Sequence, residues 1–512
     1  MPIPSLLWSA PLEDSAKREP AVPESTLSDL LADGEIRARS LPVLRLPCLP
    51  EEIPPRQELI MGLLESEDFA DYADGLRLGF SEAEQLFDEI TRAENEDEKI
   101  LLFLPAMNRF FTLAEELARF DAHAPEGTRK AREIADYWQK YCENVAHAAH
   151  ARRCRDLLAR QDPKLTLRIH GSQVSAWERR RGIRADLEES LRDMGFEDAI
   201  PADRHPQKAS EPVIAGYGGV YASYYQSASA FWEECFGDYV GGERDMTAVF
   251  RYREELEFLL DVTAYFRALR DAGYSLCCPE VSSRREFVLT GLVDPSLRRR
   301  NVPGNEVVPN DLRMTDGTGE GSREQFFILS GANGGGKTTF LRASALAALF
   351  FSAGCPVAAR EGRGMPFDAV YTHFPSNESF ENSGRFADEA ERADEIEKAA
   401  TNRSFAVFNE TFSGTDEKRS EEFSARLAGE MWRRGVFGIY VTHIHALTGG
   451  EIPTLAAVVD ENDDNRRTYK IRRVGATASS FAQDILEQYG LDGDTLAARI
   501  AEIRAESEKG GN

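Results

Sequence analysis

Apolar positions recur at helical spacing through the first half of the chain and gather into short strand-like runs in the second. From Arg56 to about Leu276 the period is three to four residues. Ile134, Tyr137, Trp138, Tyr141 and Val145 fall on one helical face, and Val249, Tyr252, Leu256, Leu259, Leu260 and Phe266 on another. No proline stands between Pro212 and Pro279, which permits long helices there. Within this region 164–170 (KLTLRIH) alternates as a strand does, and 201–212 reads as a loop. Before Arg56, proline and acidic residues prevail with little periodicity, which predicts an irregular arm. After Pro279 the spacing predicts strands over 286–292, 325–330, 404–409, 438–442 and 455–459, with helices between them. Strands alternating with helices predict a mainly parallel sheet covered on both faces. The chain therefore divides into an arm (1–55), a helical region (56–278) and an α/β domain (279–512). No internal repeat is present.

The stretch 326–350 carries the clearest chemistry. The apolar residues 326–329 lead into Gly331-Ala332-Asn333-Gly334-Gly335-Gly336-Lys337-Thr338-Thr339, and an apolar helix follows. This is G-x-x-x-x-G-K-[ST] in the strand–loop–helix setting that the chemistry requires. The glycines let successive backbone N–H groups turn inward, and the helix N-terminus adds positive potential, so the loop is suited to phosphate oxygens. Lys337 would reach the β- and γ-phosphates of a nucleoside triphosphate, and the Thr338 hydroxyl would ligate Mg2+.

A second apolar strand, 404–408, ends in Asn409-Glu410. In P-loop ATPases this strand usually ends in Asp-Glu, the first helping to hold Mg2+ and the second polarising the attacking water. Glu410 is the candidate base. Asn409 supplies an amide oxygen but no charge, so the metal is held more weakly. Ser413-Gly414-Thr415-Asp416 follows, and the strand 438–442 leads into His443-Ile444-His445. A histidine just beyond a sheet strand can donate a hydrogen bond to a γ-phosphate, which makes His443 the candidate sensor. His147 and His150 share a helix without nearby carboxylates or cysteines, which predicts exposed surface rather than a metal site.

Composition narrows the function. The chain has 512 residues, enough for two or three domains, and no apolar run of membrane-spanning length or secretory leader. Seven scattered cysteines without a C-x-x-C pair predict reduced thiols and a cytoplasmic location. The formal net charge of −26 counts against tight, salt-sensitive nucleic-acid binding, since such binding needs a basic surface. Short basic runs at Arg179–Arg181 and Arg298–Arg300 are the local exceptions.

Five blocks in order resemble the MutS family of DNA mismatch-repair ATPases. Val308-Pro309-Asn310-Asp311 resembles its short nucleotide-side motif, and Ser330 to Thr339 its T-G-P-N-M-G-G-K-S-T. Pro366 to Thr372 resembles the approach to its signature segment, Thr442 to Leu447 its T-H-Y-H-E-L, and Gly475 to Ala482 its G-A-T-x-x-S-Y-G. The resemblance implies a helical core and lever followed by a P-loop (ABC-type) ATPase domain that uses ATP and Mg2+. It also implies a homodimer with composite sites, in which Asn310 contacts nucleotide and Ser383 of Ser383-Gly384-Arg385-Phe386 reaches the partner's nucleotide. DNA and other repair proteins are the partners it suggests. The departures are the abbreviated signature segment, Asn409 in place of aspartate, and a first hundred or so residues that do not look like the family's mismatch-reading domain; Phe231-Trp232-Glu233 has the letters of its wedge but sits inside a helical stretch. The expectation is a short MutS-like member, an ATP-hydrolysing clamp or switch with slow turnover and no direct mismatch reading. Its rivals are an ATP-gated protein-interaction module that never meets DNA and a weakly hydrolysing pseudo-ATPase.

Overall fold

The computed structural model describes residues 2–94, 96–161, 166–170, 173–177, 214–240, 247–317, 323–331, 333–374, 382–412, 417–460 and 463–474. Its helices, in chain order, are α1 (Glu24–Leu30), α2 (Leu41–Leu44), α3 (Ile53–Glu65), α4 (Glu67–Arg92), α5 (Glu96–Leu117), α6 (Phe120–His123) and α7 (Arg129–Glu143). They continue with α8 (Val145–Gln161), α9 (Ile214–Tyr239), α10 (Arg251–Asp271), α11 (Lys337–Ser352), α12 (Asn382–Ala399) and α13 (Glu417–Arg433). Contacts divide the chain into two units, one of 1–16 with 66–257 and one of 17–65 with 258–512.

The first unit is helical. Ser66 caps α4 by accepting from the Phe69 amide at 3.2 Å, and Phe69, Ala73, Leu76, Phe80, Ala83, Phe87 and Ile90 form its buried stripe. On α7, Ile134 and Trp138 are buried as their spacing predicts, but Val145 is 84% exposed. The α7 helix stops at Glu143, and the Asn144 side chain accepts from the Ala146 amide to start α8, so the face breaks before Val145. A small antiparallel hairpin joins β1 (Thr166–His170) to β2 (Gln173–Trp177). His147, expected at the surface, is 2% exposed, its ring edge-on to Phe111 and Phe110.

The amino-terminal 55 residues are not an irregular arm. Leu6, Leu7, Trp8 and Leu12 are buried in the first unit, where Ser5 Oγ and the Leu6 amide both donate to the Glu255 carboxylate at 2.6 Å. Residues 17–65 carry α1, α2 and α3 and belong to the second unit. There Arg56 donates to the Ala353 carbonyl at 2.8 Å and Thr26 Oγ1 to that of Val370 at 3.1 Å. Proline-rich local sequence is overridden by these distant partners. Nor does the division fall at Pro279: it lies within α10.

The second unit holds two sheets. One contains β3 (Glu280–Val281), β4 (Glu286–Leu292), β5 (Asn310–Asp316), β6 (Arg323–Glu324) and, later in the chain, a strand at Glu361–Gly364. The other begins with β7 (Phe326–Ser330); β8 is the Glu361–Gly364 strand of the first sheet. It continues with β9 (Val370–His373), β10 (Phe405–Asn409), β11 (Phe437–Val441), β12 (Thr454–Asp460) and β13 (Asp463–Arg473). Its order is β13-β12-β7-β11-β10-β9, parallel in every pair except β12 with β13. The strand expected over 286–292 forms, but in the other sheet, where β4 pairs antiparallel with β5 and β8. Phe326, Ile328, Ala406, Phe408 and Tyr440 turn one face of the six-stranded sheet to Ile396 of α12 and Leu427 and Met431 of α13. The α11 helix packs on β9, β10 and β11. Burial on both faces explains why these strands read as unbroken apolar runs. Among the described residues no helix is long and apolar enough to cross a membrane.

Candidate functional site

The glycine-rich loop leaves the carboxyl end of β7, between β11 and β12, and enters α11 at Lys337. Ligands of open α/β sheets sit at such strand ends. Gly331 holds φ at 126°, and a Cβ there would meet the Ala457 backbone nitrogen at 3.0 Å, so only glycine fits. Gly336, at φ 92°, caps α11 in the left-handed region. Asn333, Gly334 and Thr338 are exposed, Gly335 is buried and Thr339 is half-buried.

Lys337 is 5% exposed and folds back to donate from Nζ to the Gly331 carbonyl at 2.7 Å. Burial lowers its pKa; Arg467 pushes the same way, and Glu410 opposes them. A partly desolvated ammonium at the end of a glycine-rich loop is suited to anionic oxygens. At the next position, Thr338 Oγ1 lies 3.4 Å from Asn409 Oδ1 at the end of β10. The two oxygens fit an Mg2+ site of hard donors that lacks a carboxylate.

Glu410 follows Asn409 in a left-handed conformation, φ 52°, with its amide bonded to the Val441 carbonyl at 3.0 Å. Its Oε1 lies 2.9 Å from His443 Nε2, which donates to it. The two residues named separately from two strand ends are thus one pair. Parallel pairing of β10 with β11, Asn409 opposite Val441, brings them together. Asn310, at the start of β5, is engaged at both ends of its amide by β13. Its Nδ2 donates to the Tyr469 carbonyl at 3.0 Å, and its Oδ1 accepts from the Ile471 amide at 2.8 Å. Ser383 lies in the first turn of α12. Ser413–Asp416, Gly475–Ala482 and Arg179–Arg181 lie outside the described residues.

Two neighbours of the loop had no signal in the sequence. A Cβ on Gly336 would stand 3.6 Å from the Tyr469 ring, and one on Gly334 3.6 Å from Arg467 Nη1. Both belong to β13, whose polar composition hides its strand character. Among the described residues no group of three or more His, Cys, Asp or Glu is placed to hold a metal ion.

Fold and site together define a domain in which a glycine-rich strand–loop–helix faces an acidic strand end and a histidine. Residues 327–491 match the family model of MutS domain V. The DNA mismatch repair protein MutS of Thermus thermophilus is 28% identical over 215 residues, covering 41% of this chain and 25% of that protein. The protein of that name from Thermus aquaticus is 25% identical over 348 residues, 59% of this chain and 41% of its own length. Endonuclease MutS2 of Streptococcus suis is 26% identical over 219 residues, 42% of this chain and 26% of that protein. Residues 327–491 are thus similar to MutS domain V, and the likeness to MutS and MutS2 proteins covers part of this chain. The chain spans well under half the length of each of these relatives.

Proposed function

We propose that the chain binds and slowly hydrolyses ATP, and that the cycle drives a dimeric, DNA-associated switch without direct mismatch reading. The observation that carries this reading is the Glu410–His443 pair, 2.9 Å apart, at the strand ends beside Lys337 and the Thr338–Asn409 oxygens.

The loop amides and Lys337 would bind the β- and γ-phosphates. Mg2+, held by Thr338 and through Asn409, would supply charge neutralisation at those oxygens. Glu410 orients a water and takes its proton as the water oxygen bonds to the γ-phosphorus. The bond from that phosphorus to the bridging oxygen breaks, and ADP leaves with the electron pair. In the present arrangement His443 Nε2–H occupies Glu410 Oε1. A γ-phosphate oxygen competing for that N–H would free the carboxylate for water, which makes His443 a sensor. Asn409 brings no charge to the metal site, which favours slow turnover.

Dimerisation is what the resemblance to a family with composite sites implies, and Ser383 would be the residue that meets the partner's nucleotide. DNA contact would be weak and governed by phosphates, because the net charge is −26. The same charge favours, as a second reading, an ATP-gated module that grips protein. A salt titration of binding to paired, mismatched and branched duplexes, with and without ATP, separates the two. Weak binding with a shallow log–log salt slope of a few phosphate contacts and no mismatch preference supports the DNA-associated switch. A clear mismatch preference overturns the absence of mismatch reading, and no binding at low salt with ATP favours the protein-gripping module.

A further inference from the structure

Beneath the Glu410–His443 pair lies a buried histidine that the hydrolysis scheme does not use. His373 ends β9, is 1% exposed, and stacks near Phe408, its neighbour in register, at 6.3 Å between ring centroids. Its Nε2 lies 3.1 Å from the Glu389 carbonyl oxygen of α12, and its Nδ1 3.2 Å from Thr411 Oγ1. A carbonyl oxygen only accepts, so Nε2 carries the proton and Nδ1 accepts from the Thr411 hydroxyl. Burial pushes the imidazole pKa down to about 4, which keeps this neutral tautomer at physiological pH.

Thr411 is the middle of a turn whose flanking residues, Glu410 and Phe412, hold φ at 52° and 70°. Side-chain-bearing residues visit this region rarely and stay there only when their surroundings hold them. Two ties come from β11: the Glu410 amide to the Val441 carbonyl at 3.0 Å, and the Tyr440 hydroxyl 3.3 Å from the Thr411 carbonyl oxygen. The third comes from His373, and it leads to α12, the helix that carries Ser383.

We propose that His373 is a positioning residue that couples α12 to the aim of Glu410, through Glu389 O, the imidazole and the Thr411 hydroxyl. A shift of α12, as when Ser383 meets nucleotide on a second subunit, alters the turn and with it the rate of hydrolysis. This rests on the ATPase reading above and adds a regulator to the same site.

His373→Phe keeps ring volume and removes both nitrogens, and Thr411→Val keeps shape and removes the hydroxyl. Each should lower kcat about tenfold with KM and ATP affinity within twofold, as expected when one hydrogen bond in a positioning chain is lost. The double variant should be no slower than either single one, because both break the same link. Hydrogen exchange at the Glu410 amide, measured without nucleotide, should rise about tenfold in Thr411→Val, which reads the link without turnover. Unchanged kcat and exchange in both variants, or losses that multiply in the double variant, overturn the proposal. If the parent binds ATP but never hydrolyses it, the ATPase reading fails and the exchange measurement alone decides the link. Should His373→Phe not fold, Thr411→Val carries both readouts.

Discussion

Replacing Lys337 by methionine removes one charge from the loop while keeping the aliphatic stem. In the folded protein Nζ donates to the Gly331 carbonyl at 2.7 Å, and burial already disfavours its charged form. Part of the desolvation of the ammonium has therefore already occurred before nucleotide arrives. A unit charge about 4 Å from phosphate oxygens is worth about 4 kcal/mol at the effective dielectric of a partly buried site. Giving up the bond to Gly331 costs about 1 kcal/mol. The difference, about 3 kcal/mol, corresponds to a loss of affinity of about a hundredfold. Titration with a fluorescent ATP analogue at fixed Mg2+ measures it. A thermal melt alongside should shift by only a few degrees, since methionine fills the same space and carries no buried charge. An affinity within twofold of the parent would refute the assignment of Lys337 to the phosphates.

Gly438→Ala tests the sheet register, because a Cβ there would stand 1.9 Å from the Ala406 carbonyl oxygen. The β10–β11 pair would have to part, at a cost of about 3 kcal/mol or more, read from denaturant midpoints; an unchanged midpoint would contradict the pairing. His373 gives a pH prediction with a fixed sign. Its folded pKa of about 4 lies below the ordinary 6.5, so the unfolded chain takes the proton first. Arg392 and Asp29 also face the ring, the first lowering its pKa and the second raising it. Its stabilising contribution is full above pH 6.5 and is lost as pH falls through about 4, on the order of 3 kcal/mol. Urea midpoints across this window should therefore fall more steeply for the parent than for His373→Phe, and parallel curves would count against a buried neutral ring. Asn409→Asp places a carboxylate beside Thr338 Oγ1, now 3.4 Å from the amide oxygen, and should lower the Mg2+ needed for half-maximal nucleotide binding about tenfold. No change in that requirement would detach Asn409 from the metal.

What could be read in advance is what local rules govern. The loop 331–339 is legible because a buried strand, glycines at special φ and a helix start are all short-range demands. Glu410 and His443 are legible because apolar strands point to their own polar ends. That they touch is not, since it depends on which strands are neighbours. The β13 strand (DDNRRTYKIRR) lacks an apolar alternation because it is an edge held by pairing with β12, so Arg467 and Tyr469 could not be placed beside the loop. The β9 strand is four residues long and wholly buried, which gave no period to detect and left His373 unnoticed. The first 65 residues fold against partners hundreds of positions away, as Arg56 does on Ala353. His147 is buried by Phe110, Phe111 and Tyr141 around it, which two histidines on a helix do not announce.

The central claim is that Glu410, paired with His443, is the base for ATP hydrolysis at this loop. Single-turnover hydrolysis of ATP by the parent and by Glu410→Gln, with nucleotide affinity measured in the same samples, tests it most directly. Loss of a general base is worth about a hundredfold to ten-thousandfold in rate. Glu410→Gln is expected to bind ATP within twofold of the parent and to hydrolyse it at least about a hundredfold more slowly. Equal hydrolysis rates in the two proteins, at equal affinity, would contradict it.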